Sequence, residues 1–255
     1  MTAPETTTTT TKPINHRRSW TEAPHGSVIT SGDIFIFIPN LIGYSRVLFA
    51  LASLFFMQWH PKYCTVLYCL SCLLDALDGV AARRYGQTSR FGAVLDMVTD
   101  RCTTSCLICY LCVAYPRYAI VFQMLVSLDL ASHYMHMYAM LTSGSSSHKK
   151  VGKESWILNL YYTNNKVLFT FCAFNELFFV GLYLFSFPLK SPPNLGYIYG
   201  VPLSYATIIL IITFPLWLGK QIINVIQMYR AALMLAETDV EERRLAAEQE
   251  SAKAK

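Results

Sequence analysis

Four carboxylates fall within 26 residues of otherwise apolar sequence: Asp75 and Asp78 near the end of one hydrophobic run, Asp96 and Asp100 near the start of the next. Each charge placed inside a membrane-spanning helix costs about 2.5–3.5 kcal/mol on insertion scales, so a group of four persists only where something compensates it. The spacings i,i+3 and i,i+4 put each pair on one helix face, and a connection of eight residues makes the two helices antiparallel neighbours. Four hard oxygen donors unaccompanied by His or thiolate suit Mg²⁺ or Mn²⁺, ions that phosphate oxygens and water usually complete. The surrounding residues fit a phosphate-bearing ligand. Gly79 and Ala82 share the aspartate face and let a ligand approach the backbone, Arg83 can neutralise a phosphate, and Ser89 and Arg90 add donors.

The elements that must hold these side chains are membrane helices. Apolar residues make up 53% of the 255 and charged ones 15%, which excludes an ordinary soluble domain. The net charge of +5 is not arranged as a basic stripe among exposed aromatics, so no nucleic-acid partner is expected. Residues 1–30, with Thr6–Thr11 in a row, are expected to form a disordered polar arm, and 236–255 a charged C-terminal tail. Between them, residues 31–235 are read as one all-α, polytopic domain. The run Ile34–Ile38 is too short to span and is expected to lie along the interface. Six transmembrane helices are predicted near Leu41–Gln58, Tyr63–Ala82, Phe91–Ala114, Tyr118–Leu141, Val167–Phe187 and Ile198–Met228, the last running on beyond the membrane.

Placing both termini in the cytosol puts sixteen Lys and Arg there, Lys220 among them. Lys62, Arg117 and Lys190 then face the other way, and Arg46 and Arg101 are left inside spans, a strong positive-inside bias. The aspartate cleft is thereby expected at the cytosolic face. The eight cysteines lie in or beside spans and are read as small apolar residues without a disulfide framework.

The motif Asp75-x-x-Asp78-Gly79-x-x-Ala82-Arg83, then eight residues, then Gly92-x-x-x-Asp96-x-x-x-Asp100 resembles the signature of the CDP-alcohol phosphatidyltransferase family. Phe37–Arg46, Arg90–Met97, Ser127–His133 and Tyr161–Thr163 are similar to the eukaryotic branch that uses myo-inositol. The likeness covers about residues 33–230. It implies transfer of the phosphatidyl group of CDP-diacylglycerol to myo-inositol with release of CMP. It also implies two divalent ions, Mg²⁺ or Mn²⁺, on Asp75, Asp78 and Asp96 with Asp100 shared, and Asp100 as general base. Gly79, Arg83 and Ser89 would contact the CDP-diacylglycerol headgroup, and the chain would be a homodimer in the endoplasmic reticulum bilayer. Many relatives read Pro-Asn-x-x-Thr-x-x-Arg before the first span, and Gly43 stands here at the Thr position.

For the acceptor, Asp129 with His133, His136, and Asn175 with Glu176 are intramembrane polar candidates, each with ordinary interhelical hydrogen bonding as the competing reading. Sister reactions with glycerol 3-phosphate, serine or choline are the alternatives within the class. A carboxylate-lined cation transporter is the alternative outside it, although such a path would carry polar residues across the whole bilayer.

Overall fold

The computed structural model describes residues 30–142, 163–187, 197–198, 201–202 and 204–253. The polar arm, the lysines at 149, 150, 153 and 190, and Tyr161-Tyr162 lie outside them. A short helix α1 (Ser31–Phe35) leads into five long ones: α2 (Ile38–Phe56), α3 (Pro61–Arg84), α4 (Arg90–Ala114), α5 (Ala119–Thr142) and α6 (Asn165–Phe185). A two-residue antiparallel pair, Tyr197–Ile198 with Val201–Pro202, precedes α7 (Tyr205–Lys253).

Local signals set these boundaries. Thr30 and Asp33 form a reciprocal capping box on α1, and the bonds from Thr30 hold the Asp33 carboxyl below its ordinary pKa. Pro61 opens α3, where a missing N–H costs nothing. At the other end of α3, Gly86 takes φ +64° and the Gln87 amide donates to the Ala82 carbonyl, a Schellman stop. The Gln87 side chain turns back to accept from the Ile38 amide at the start of α2 (3.0 Å). Ser89 then caps α4, its Oγ accepting from the Gly92 amide at 2.9 Å. The α3–α4 turn is thus tied to both helices it joins and to α2.

Among the described residues, six long helices overlap the six predicted stretches. Five of them, α2, α3, α4, α6 and α7, are long and apolar enough to cross a membrane. Helix α5 has 24 residues, about 36 Å at 1.5 Å per residue, but Gln123, Asp129, His133 and His136 lower its apolarity. The protein is polytopic: Leu48, Phe55, Val66, Val113, Ile120 and Ile212 point outward, as lipid-facing side chains do. Two sequence expectations are corrected. Helix α7 begins at Tyr205 rather than Ile198, because Ile198 belongs to the strand pair. Lys220, counted among cytosolic charges, is 3% exposed within the bundle, where it donates to Asn224 Oδ1 at 2.8 Å. Helix α7 continues through residues 236–253, where Arg244 pairs with Glu241 and Glu248 on a solvated face.

Helix α2 packs mainly on α3, α6 on α7, and α5 on α7, with α4 touching α2, α5 and α6. The apolar core lies at one end of the bundle, where Tyr68, Leu107, Ile108, Leu111, Phe179 and Tyr183 meet and Trp217 stacks on Phe178 at 4.3 Å. At the end of α3 and the beginning of α4, Leu77, Val80 and Val98 point outward, and the inward positions carry the aspartates. All eight cysteines are free thiols.

Candidate active site

The four aspartates converge. Asp75, Asp78 and Asp96 each offer an oxygen within 4.8 Å of the other two, the arrangement a cation needs. Asp100 is not part of that triplet, although it joins the same cluster. What gathers all four is Arg46 of α2, 1% exposed. Its Nη2 lies 2.6 Å from Asp75 Oδ1 and 2.5 Å from Asp100 Oδ1, and its Nη1 lies 2.7 Å from Asp78 Oδ2 and 2.6 Å from Asp96 Oδ1. The Ser71 hydroxyl donates to the Arg46 carbonyl at 3.0 Å, fixing α2 against α3 at the same level. A planar guanidinium can bridge four carboxylates from two helices where a point-like ammonium cannot.

A second arginine extends the cluster. Arg101 Nη1 donates to both oxygens of Asp129 on α5, at 2.8 and 2.9 Å, and its Nη2 stands 3.4 Å from Asp100 Oδ2. Asp129 also meets Asn224 of α7 and His133 one turn along α5, each at 3.4 Å. Five carboxylates thus share two guanidinium groups, a formal excess of three negative charges, with Asp75 and Asp96 partly exposed. Such an excess calls for further cations, and an all-oxygen set suits a hard divalent ion. The residues present therefore fit Mg²⁺ or Mn²⁺.

Two cavities flank this cluster. The first, about 210 Å³, is lined by Asn40, Gly43, Asp78, Gly79, Ser89, Gly92 and Asp96, with Pro39, Ala82 and Gln87 at its edge. It is a small-residue cleft with carboxylates on one wall. Exposed Arg83 folds back over Gly79, its Nη1 only 3.5 Å from where a Cβ would stand. Gly79, Arg83 and Ser89 are thus grouped around one cleft. Gly92 is more constrained, since a Cβ there would lie 2.7 Å from Asn40 Oδ1 and 3.1 Å from Ser89 Oγ. At Gly43 an added Cβ would meet Leu95 at 3.0 Å, so a Thr at this position would crowd the cleft wall.

The second cavity, about 240 Å³, lies behind the cluster between α3, α4 and α6 and is lined by Arg46, Asp75, Asp100, Arg101, Thr104 and Glu176 among others. Glu176 accepts from the Tyr68 hydroxyl (2.5 Å) and from Thr104 (3.1 and 3.2 Å), and Asn175 joins Glu176 and Gln221. Asn175 and Glu176 therefore have the interhelical partners of the competing reading. Asp129 and His133 sit on the Arg101 side of the cluster.

Arg46, Arg101 and Asn40 were missed as site residues by sequence reasoning. A lone arginine within an apolar run is a costly residue and was the available signal, but its partners lie up to 54 positions away. Asn40 is 1% exposed, donates to the Ile34 carbonyl and forms one wall of the first cleft.

Bundled helices that carry an Asp-rich, glycine-lined cleft on two consecutive elements point to enzymes acting on pyrophosphate-linked lipids. The chain belongs to the CDP-alcohol phosphatidyltransferase family, whose model matches residues 36–237. Among its relatives are proteins named CDP-diacylglycerol–inositol 3-phosphatidyltransferase. The one from Schizosaccharomyces pombe is 59% identical over 224 residues, covering 84% of this chain and 94% of the relative. That of Saccharomyces cerevisiae is 51% identical over 212 residues, covering 83% and 91%, and that of Rattus norvegicus 45% identical over 212 residues, covering 83% and 96%. No solved structure matches the chain.

Proposed function

We propose that the protein transfers the phosphatidyl group of CDP-diacylglycerol to myo-inositol, forming phosphatidylinositol and CMP. The observation that carries this reading is the convergence of Asp75, Asp78 and Asp96 beside a cleft floored by Gly79 and Gly92, in a chain about half identical to relatives named for that activity. The cleft takes the nucleotide headgroup: Gly79 and Gly92 leave room for the pyrophosphate, and Arg83 and Ser89 offer donors to its oxygens. Asp75, Asp78 and Asp96, with Asp100 sharing, would hold divalent ions, which when bound would supply charge neutralisation for the pyrophosphate and the departing CMP.

The rest of the work falls to the chain. An inositol hydroxyl attacks the phosphorus that bears the diacylglycerol group, the bond from that phosphorus to the CMP oxygen breaks, and the hydroxyl proton passes to Asp100. Asp100 suits the role because it borders the triplet without belonging to it, and because its Oδ2 faces Arg101 at a long 3.4 Å. Arg46 holds the four carboxylates in register while substrates come and go, so that little reorganisation is needed at the moment of transfer.

The distribution of Lys and Arg supports six spans with both termini and the cleft on the cytosolic side. In that setting acyl chains stay in lipid while inositol arrives from water. We place the enzyme as a homodimer in the endoplasmic reticulum, with residues 31–235 as the catalytic domain between a polar arm and a charged tail. The test is purified protein in lipid–detergent micelles with Mn²⁺ or Mg²⁺, CDP-diacylglycerol and labelled acceptors. Label from inositol must enter lipid with stoichiometric CMP. Label entering instead from glycerol 3-phosphate, serine or choline overturns the acceptor, and absence of CMP release with every acceptor overturns the enzyme class.

A further inference from the structure

Asp100 is held between two arginines that are themselves held very differently. Arg46 is bound through both terminal nitrogens by the cluster's own carboxylates. Arg101 adjoins Asp100 in sequence, yet its nearest partner is on another helix: one guanidinium nitrogen lies 2.8 and 2.9 Å from the two oxygens of Asp129, whereas the nitrogen facing Asp100 stands off at 3.4 Å. Both side chains of the Arg101–Asp129 pair are about nine-tenths buried, so neither has bulk water as an alternative partner. A buried guanidinium without Asp129 would turn to the adjoining Asp100 and close the 3.4 Å gap to the 2.7–2.9 Å of a charge-assisted hydrogen bond.

We propose that Asp129 is a positioning residue that draws Arg101 away from Asp100 and so keeps one oxygen of the proton acceptor available to the incoming hydroxyl. The inference rests on Asp100 being the base. Asp129 is itself fixed from two sides, by Asn224 of α7 at 3.4 Å and by His133 at 3.4 Å, and Asn224 is tied to Lys220 in turn. The restraint therefore runs from α7 through α5 to the α4 residue next to the base. It assigns the Asp129 carboxylate a task in transfer that does not require it to touch either substrate.

The consequence is an unusual pattern of double-variant kinetics. Asp129→Asn should lower kcat by about tenfold or more while the KM values for CDP-diacylglycerol and inositol stay within about threefold, the signature of an interaction lost at the transfer step. Arg101→Gln, which removes the group to be restrained, should lose less kcat than Asp129→Asn does, and the Asp129→Asn/Arg101→Gln pair should turn over at the rate of Arg101→Gln alone. A purely structural ion pair would also couple the two variants, so the discriminating readout is the asymmetry of the single ones: a structural role makes Arg101→Gln, which strands the buried Asp129, at least as damaging as Asp129→Asn.

Asp129→Glu gives a second variant with the charge retained and the carboxylate displaced by one methylene. It should lose about threefold or more in kcat, relieved by Arg101→Gln. The proposal is overturned by multiplicative losses, by a loss in Arg101→Gln at least as large as that in Asp129→Asn, by wild-type kcat in Asp129→Asn or Asp129→Glu, or by a raised KM for inositol at constant kcat, which would make Asp129 an acceptor contact. Failure of the underlying reading looks different: the parent protein itself would release no CMP with inositol.

Discussion

Gly92 gives the sharpest quantitative prediction, because its neighbours have nowhere to go. An alanine Cβ would stand 2.7 Å from Asn40 Oδ1, inside the 3.0 Å that real Cβ contacts respect, and 3.1 Å from the capping Ser89 Oγ. Asn40 is 1% exposed and its amide is engaged with the Ile34 carbonyl. Retreat of the side chain breaks that bond, at about 1–3 kcal/mol for a buried group left unpaired. Displacement of Ser89 weakens the α4 cap by a further 0.5–2 kcal/mol or so. Set against this is the gain of up to about 1 kcal/mol that alanine brings over glycine in a helix.

The net cost for Gly92→Ala is roughly 0.5–4 kcal/mol, expressed in the cleft wall that receives the nucleotide, or about a twofold to thousandfold fall in kcat/KM for CDP-diacylglycerol. Initial rates of CMP release at saturating inositol measure it, with Gly32→Ala as control, since a Cβ there meets nothing closer than Thr30 Oγ1 at 3.6 Å. If Gly92→Ala leaves kcat/KM equal to the parent's or raises it, the cleft is not the nucleotide site or Asn40 does not line it in the working enzyme.

Three further outcomes are expected. Arg46→Met leaves four carboxylates without their shared cation, so the purified protein should lose about 3–5 kcal/mol of stability, read as a lowered unfolding midpoint in detergent. An unchanged midpoint would mean that the arginine does not organise the cluster. Chelation of divalent ions should abolish turnover, with recovery on adding Mg²⁺ or Mn²⁺, and Asp78→Asn should raise the ion concentration for half recovery by about tenfold. A metal-independent rate argues against the triplet as a metal site. Asp100→Asn should retain CDP-diacylglycerol binding, measured by calorimetry, with transfer lost; a surviving rate removes Asp100 as the base.

The aspartates were legible from sequence because four carboxylates on successive helical turns have no cheap structural explanation in an apolar run. Their neighbours Gly79, Arg83 and Ser89 were legible for the same local reason, being within a turn or a short connection of the motif. Arg46 and Arg101 were visible only as isolated charges. What gives each its role is a partner on another helix, and helix packing is a long-range outcome that spacing along one chain does not encode. The beginning of α7 was misplaced because Ile198, apolar enough for a span, is used in a strand pair instead. Lys220 misled the charge count for a related reason: its partner Asn224, one turn away, lets an ammonium stay inside the bundle.

The hold that Arg46 has on two other helices bears on how the protein is made. Helix α2 leaves the ribosome before α3 and α4, so the cation is already in the membrane when the four aspartates arrive. Without it, that hairpin would bring four carboxylates to the membrane boundary with no counterion from the chain, at a cost that grows with their depth. With it, each new helix finds a counterion waiting. The ion cluster that prepares the chemistry thereby also ties the placement of α3 and α4 to that of α2.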